Sequence, residues 1–246
     1  MLTHIGRISE LVRYPVKSMA GIATESALLG WHGLDGDRRF GFRRVGDHSG
    51  FPWLSASRYP ELVAYRPFGL DRSSGEPLPT HVRTPDGADR ELQSAELQRE
   101  ICERSGVTVE LMQLKHGVFD DAPISVINLE TIAGIGRAAG LELDRRRFRA
   151  NIFLAMNGAE PFAEDAWVGG TLLFGDEEPM PAVTVTALDV RCMMLNLDPD
   201  SGKQDARVMK AVVALNANNA GVYGTVVRTG TLYAGQTVRL LTTAPR

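Results

Sequence analysis

The chain has 246 residues, with 27 basic against 30 acidic side chains and a formal charge of −3. Hydrophobic content of 43% with 23% charged residues is ordinary for a globular protein and excludes a disordered or collagen-like chain. Mild acidity argues against a nucleic-acid surface, and two cysteines, Cys102 and Cys192, are too few for a disulfide framework, a four-cysteine zinc site or an iron–sulfur cluster.

The first half reads as short strands joined by turns. Residues 8–14 are β-rich and end at Pro15. Residues 27–31, the Gly33-Leu34-Asp35-Gly36 turn and residues 38–44 read as strand, turn, strand. Residues 62–66 are a further strand candidate, 67–80 a Pro/Gly/Ser-rich loop, and 81–84 with 90–92 a hairpin about Pro85-Asp86-Gly87. A helix capped by Ser94 and stopped by Gly106 shows Leu97 and Ile101 on one face, and 107–114 returns to strand. In the second half, 124–127 is a short apolar run, and Asn128 caps a helix over 129–139 that ends at Gly140. Residues 148–156 look like a buried strand, 167–174 a hairpin turning at Gly169-Gly170, and 183–189 a strand. Asp205 caps a helix with Val208, Val212 and Leu215 on one face, and 223–228 and 236–241 are strands. These elements predict an α+β, predominantly β fold without regular strand–helix alternation, which excludes a Rossmann fold or TIM barrel. The break at Lys115-His116-Gly117 divides 1–118 from 119–246. The N-terminus has no charged run followed by an apolar one, and no stretch approaches the roughly 20 apolar residues of a membrane span. The expectation is a cytoplasmic protein without membrane or nucleic-acid partners.

Several motifs fail on physical grounds. Gly134, Gly136 and Gly140 fall inside a helix rather than before one, where free N–H groups would meet phosphate. Ser201-Gly202-Lys203 lacks the rest of a P-loop, and Asp198-Pro199-Asp200-Ser201-Gly202 reads as a turn rather than a calcium loop. The five histidines have no helical partners for a metal. Arg145–Arg147 read as a solvated run, whereas Arg149 and Asn151, two apart on the predicted strand, share a face and suit an anion. Cys102 flanks an apolar helix face and reads as a small core residue.

Lys17-Ser18 after the first strand, Asp37-Arg38-Arg39, Arg149 and Arg191-Cys192 together put cations and one thiol at strand ends. That set suits an anionic ligand carrying a soft metal. With these, the segments YPVKS, GLDGDRRF, SASRYPELV, FRAN, EDAW, DVRC and LDPDSG and the closing YGT…GTLYAGQTVRLL resemble, over nearly the whole chain, the MOSC-domain family. The resemblance is to members with an N-terminal β-barrel domain, such as the amidoxime reducing components.

The resemblance implies an N-terminal β-barrel-like domain over 1–118, followed by a β-barrel MOSC domain over 119–246. It also implies a molybdopterin-type molybdenum cofactor and reduction of N-hydroxylated compounds such as amidoximes, hydroxylamines and N-hydroxylated bases. Cys192 would ligate the metal, with Arg191 favouring its thiolate. Lys17, Ser18, Arg38, Arg149, Asn151 and Arg191, with the backbone of Asp121 and Ala122, would hold the cofactor. Too few cysteines remain for a fused iron–sulfur domain, so electrons would come from a separate ferredoxin or flavin-reductase type protein. Two departures, Ala122 for a hydroxyl residue and Val226 for an aromatic one, leave open a non-redox cofactor carrier or sulfur-transfer module.

Overall fold

The first strand organises the molecule. In the computed structural model, which describes residues 1–156 and 158–242, β1 (Leu2–Arg13) runs twelve residues. A register shift between Ile8 and Glu10 breaks its alternation, so Ile8 and Leu11, three apart, both point into one core. The first half continues with β2 (Ile22–Thr24), β3 (Ser26–Gly30), β4 (Gly33–Leu34), β5 (Phe40–Arg44), β6 (Arg66–Phe68), β7 (His81–Arg83), β8 (Asp89–Glu91), α1 (Ala95–Ser105) and β9 (Val109–Gln113). The second half contributes β10 (Ile124–Asn128), α2 (Leu129–Ala139), β11 (Ile152–Ala155), β12 (Thr171–Phe174), β13 (Ala182–Val190), α3 (Ala206–Asn216), β14 (Asn219–Arg228), β15 (Gly230–Tyr233) and β16 (Thr237–Leu241).

Seven strands close a ring in the order β11-β10-β14-β13-β12-β16-β1, with β1 pairing back onto β11 and β2 attached to β1. Closure leaves the ring no free edges. Its interior holds Ile8, Leu11, Val126, Leu154, Phe174, Val185, Val222 and Val238. The first strand thus completes the barrel of the second half, and β3 pairs with β15 across the same division. At Gly6 the backbone of β1 meets Ala155 so closely that a Cβ would collide with its carbonyl oxygen, so only glycine fits. The rest of the first half, β5–β9, β6–β7–β8 and α1, encloses a second core of Phe40, Phe42, Leu62, Tyr65, Leu97 and Ile101. A third cluster lies on the outside of the barrel beneath α2 and α3, among Val12, Phe148, Phe153, Ile135 and Val212. The fold is α+β and mostly β, with three helices among the described residues.

All three helix caps form. Ser94 Oγ accepts from Leu97 N at 3.2 Å, Asn128 Oδ1 from Glu130 N at 3.1 Å and Asp205 Oδ1 from Arg207 N at 3.1 Å. Long-range pairing departs from the local reading. Residues 38–44 do not pair with 27–31: β5 pairs with β9, and β3 takes β4 and β15. Residues 60–64 form a 3-10 turn, with Pro60 at its start, rather than a strand. Residues 145–148 also form a 3-10 turn, so the buried strand begins only at Ile152. Gly169-Gly170 does not turn a hairpin, because β12 pairs with β13 and β16. On α3, Ala211 joins Val208 and Val212 on the buried face, while Leu215 is exposed.

Glu164 is fully buried at the start of α2, accepting from Asn128 N at 3.2 Å and Thr131 Oγ1 at 2.8 Å. Burial raises its pKa above the ordinary carboxylate range. A raised folded-state pKa gives stability that is complete below the unfolded value and is lost as pH rises through the folded one. Glu164→Gln is therefore expected to flatten the fall of melting temperature between acidic and neutral pH. Parallel pH slopes for variant and wild type would refute this.

Candidate functional site

Where the second core meets the barrel, residues 51–57 and six other segments line a cavity of about 320 Å³. The six are the turn after β1, the approach to β5, residues 120–125, the turn before β11, the end of β13 and Tyr223 of β14. Backbone bonds hold the seam: Lys17 N donates to Phe40 O at 2.8 Å, and Arg38 N to Tyr14 O at 2.8 Å. Lys17, Ser18, Arg38, Asp121, Arg149, Arg191 and Cys192 all line the cavity, although the sequence scatters them over 176 positions. Ala122 and Asn151 do not line it.

Asp37 is the buried hub of this wall. It accepts from Tyr14 N at 2.6 Å and Asn151 Nδ2 at 3.1 Å, and it pairs with Arg38. Asn151, fully buried, also accepts from Ser125 N at 3.2 Å and donates to Val12 O at 3.2 Å. Asn151 and Arg149 therefore do not share a strand face. Asn151 braces Asp37 and the backbone, and Arg149 alone of the two reaches the cavity.

The backbone here is unusual. Ser18 (φ 67°), Arg38 (φ 50°) and Arg149 (φ 52°) are three of only six non-glycine residues with positive φ among those described. Such conformations cost about 1–3 kcal/mol each and concentrate where a site requires them. All three carry side chains into one cavity.

The electrostatics single out Arg149. Its Nη1 donates to Met19 O at 2.6 Å and its guanidinium lies 4.4 Å from the centre of the Tyr14 ring, but no carboxylate pairs with it among the described residues. Burial, reinforced by the like charge of Arg38, brings its pKa down to about 10. Lys17 is buried and pairs with Asp120 at 2.7 Å, and burial lowers its pKa as well. Five cations face three carboxylates on the lining, so the cavity favours an anion.

Arg191 has a different role from the expected one. Its Nη2 lies 2.9 Å from Asp189, Nε donates to Ala220 O at 2.7 Å and Nη1 to Phe148 O at 2.6 Å. The guanidinium is thus committed to a brace that ties the end of β13 to β14 and to the turn before Arg149, rather than to activating Cys192. Gly221 (φ 85°) permits this brace: a Cβ there would lie 2.7 Å from Val126 O and 3.2 Å from Arg191 Nη2. Gly221→Ala is expected to displace Arg191 and lower stability by more than the roughly 1 kcal/mol of an ordinary substitution. Urea unfolding checks this, and an unchanged midpoint would refute it.

Cys192 is exposed on the cavity wall, at the start of the 3-10 turn Met193–Asn196. Cys102 instead packs against the second core, its sulfur accepting from Val109 N at 3.3 Å. Among the further lining residues that sequence reasoning did not assign to the cavity are Arg147, Asp120, Ser125, Asp189 and Tyr223. Arg147 belongs to the run read as solvated, yet only 11% of its side chain is exposed, and it donates to Asn196 O at 2.9 Å. Asp189 is the one with a signal, since it sits in the DVRC segment; burial raises its pKa, and Ser125 Oγ donates to it at 2.7 Å.

The cavity lies where two sequence families meet. The model of the MOSC N-terminal beta barrel domain matches residues 5–118, and that of the MOSC domain matches residues 113–239. The chain belongs to the MOSC-domain family. No curated protein matches this MOSC protein in sequence. Among solved structures it is similar to the YuaD protein from Bacillus subtilis, with 14% identity, a TM-score of 0.53 and coverage of 99% of this chain and 98% of that one. That likeness shows the shared fold. YiiM from Geobacillus stearothermophilus is similar over 50% of this chain and 55% of its own, with 17% identity and a TM-score of 0.36. MOSC domains are associated with molybdenum cofactor binding. Among the described residues no three His, Cys, Asp or Glu side chains converge on a metal site. A metal at Cys192 would therefore take its other ligands from a bound group, and a thiol beside an uncompensated guanidinium fits such a group. No helix among the described residues is long and apolar enough to cross a membrane.

Proposed function

We propose that this MOSC protein is a molybdenum-cofactor-dependent oxidoreductase that reduces N-hydroxylated compounds such as amidoximes, hydroxylamines and N-hydroxylated bases. Electrons would come from a separate protein of the ferredoxin or flavin-reductase type. The observation that carries this reading is an exposed thiol, Cys192, sharing one cavity with Arg149, a guanidinium without a carboxylate partner among the described residues.

The bound group supplies the two-electron chemistry, in which N–OH, two electrons and two protons give N–H and water. The protein's share is binding and positioning. The Cys192 thiolate is the soft metal ligand. Arg149, Arg38, Lys17 and Ser18 hold the anionic part, with Asp121 on the adjoining loop. Asn151 acts through Asp37, and Arg191 fixes the backbone that carries Cys192. The Ser125 hydroxyl and Asp189 carboxyl form a hydrogen-bonded pair on the wall through which a proton can pass. Val226 is buried in the barrel core and Ala122 does not line the cavity, so neither departure that favoured a carrier alters the cavity wall.

The test is benzamidoxime reduction by protein produced in a host that makes molybdopterin, with ferredoxin and flavin-reductase donors supplied. Turnover above a donor-only control is the expected result. Bound molybdenum without turnover under every donor would overturn the reductase reading in favour of a carrier.

A further inference from the structure

Beside the Cys192 cavity lies a second, smaller one of about 200 Å³. Its walls are largely apolar, with Val12, Tyr14, Val63 and Leu197 among them. The two cavities share Arg147, Arg149 and Met194. The other charges on the smaller one are already matched. Arg66 and Arg146 pair with Asp200 at 2.6 and 2.7 Å, and Glu10 pairs with Arg145 at 2.7 Å. Arg147 Nε, in contrast, is buried without a hydrogen-bond partner, and this side chain reaches Asp198 only at 3.4 Å. Arg149 has no carboxylate at all among the described residues and stacks on Tyr14. The unmatched positive charge of Arg149, beside the incompletely bonded Arg147, therefore borders a largely apolar recess.

We propose that this smaller cavity is a binding site for a one-ring aryl carboxylate, with its ring against Tyr14 and Val63 and its carboxylate on Arg147 and Arg149. The planar guanidinium fork matches a carboxylate, and the recess accepts a flat apolar body. Its volume falls below the roughly 300–1,000 Å³ of pockets for drug-sized ligands, which limits the occupant to a single ring. Arg149 also faces the main cavity, so a carboxylate here and an anion there compete for one guanidinium. Each then weakens the other by the same factor. This inference stands apart from the reductase reading, because it concerns protein without any cofactor.

The experiment titrates benzoate into the full chain, made in a host unable to synthesise molybdopterin, and follows binding by calorimetry. Saturable one-to-one binding is expected, about tenfold tighter than that of benzyl alcohol, which has the ring without the charge. Ala23→Leu, from an exposed position on β2, fills the smaller cavity only. It is expected to weaken benzoate about tenfold while leaving binding of inorganic phosphate unchanged. Ala20→Leu gives the same reading should Ala23→Leu melt early. Added phosphate lowers the benzoate affinity of the wild type. No saturable binding of benzoate, or equal binding by both filled variants and wild type, would overturn the proposal.

Discussion

Replacing Cys192 with alanine is expected to strip molybdenum from the purified protein while leaving the fold intact. The thiol is exposed and takes no part in the buried hydrophobic clusters, so its loss costs little stability, within about 0.5 kcal/mol. Its loss as a metal ligand is a different matter. Outer-shell partners of a metal typically account for 10–100-fold in affinity, and a direct thiolate ligand exceeds them. Metal analysis of both proteins, produced side by side in the same host, should show molybdenum near stoichiometric in the wild type and at least about tenfold lower in the variant. Equal molybdenum in the two would remove Cys192 from the role assigned to it. A matched melting temperature guards against a trivial loss through misfolding.

The second large effect is expected at Asp37. This carboxylate is 1% exposed and gathers Tyr14 N, Asn151 Nδ2 and the Arg38 guanidinium. Asp37→Ala leaves Tyr14 N and one Asn151 Nδ2 hydrogen without an acceptor, and a partly buried cation without its partner. Breaking a buried pair in this way costs about 3–5 kcal/mol. At roughly 2–4 °C per kcal/mol for a chain of this size, the melting temperature should fall by about 6–20 °C. Asp37→Asn keeps an acceptor for Tyr14 N but not the charge, so it should fall between variant and wild type. A loss under about 1 kcal/mol for Asp37→Ala would show that water takes the place of the carboxylate.

What could be read from the sequence was local, and what could not was distant. Ser94, Asn128 and Asp205 cap their helices because capping needs only the next two or three residues. The Pro85-Asp86-Gly87 hairpin formed for the same reason. The partner of β5 was not legible, because β9 lies some 70 residues away and nothing near Phe40 names it. At the site, Lys17, Arg38, Arg149 and Cys192 were chosen for their charge and softness, and the fold brings them to one cavity. The error lay in geometry. Alternation along residues 148–156 put Arg149 and Asn151 on one face, but Arg149 ends a 3-10 turn in a left-handed conformation, and the strand starts after Asn151. Arg147 was missed because three arginines in a row look alike until the turn points one of them inward.

The position of β1 between β11 and β16 has a consequence for how the molecule is made. During synthesis this strand leaves the ribosome well before its two barrel neighbours, residues 152–155 and 237–241. Until they arrive, Ile8 and Leu11 have no barrel to enter, and the strand, paired only with β2 over Leu11–Arg13, leaves most of its length able to pair wrongly with another chain. Such distant pairing also makes ring closure slow. The last step of assembly would then be the one that completes the wall carrying Lys17 and Ser18, so the binding cavity matures only when the barrel shuts.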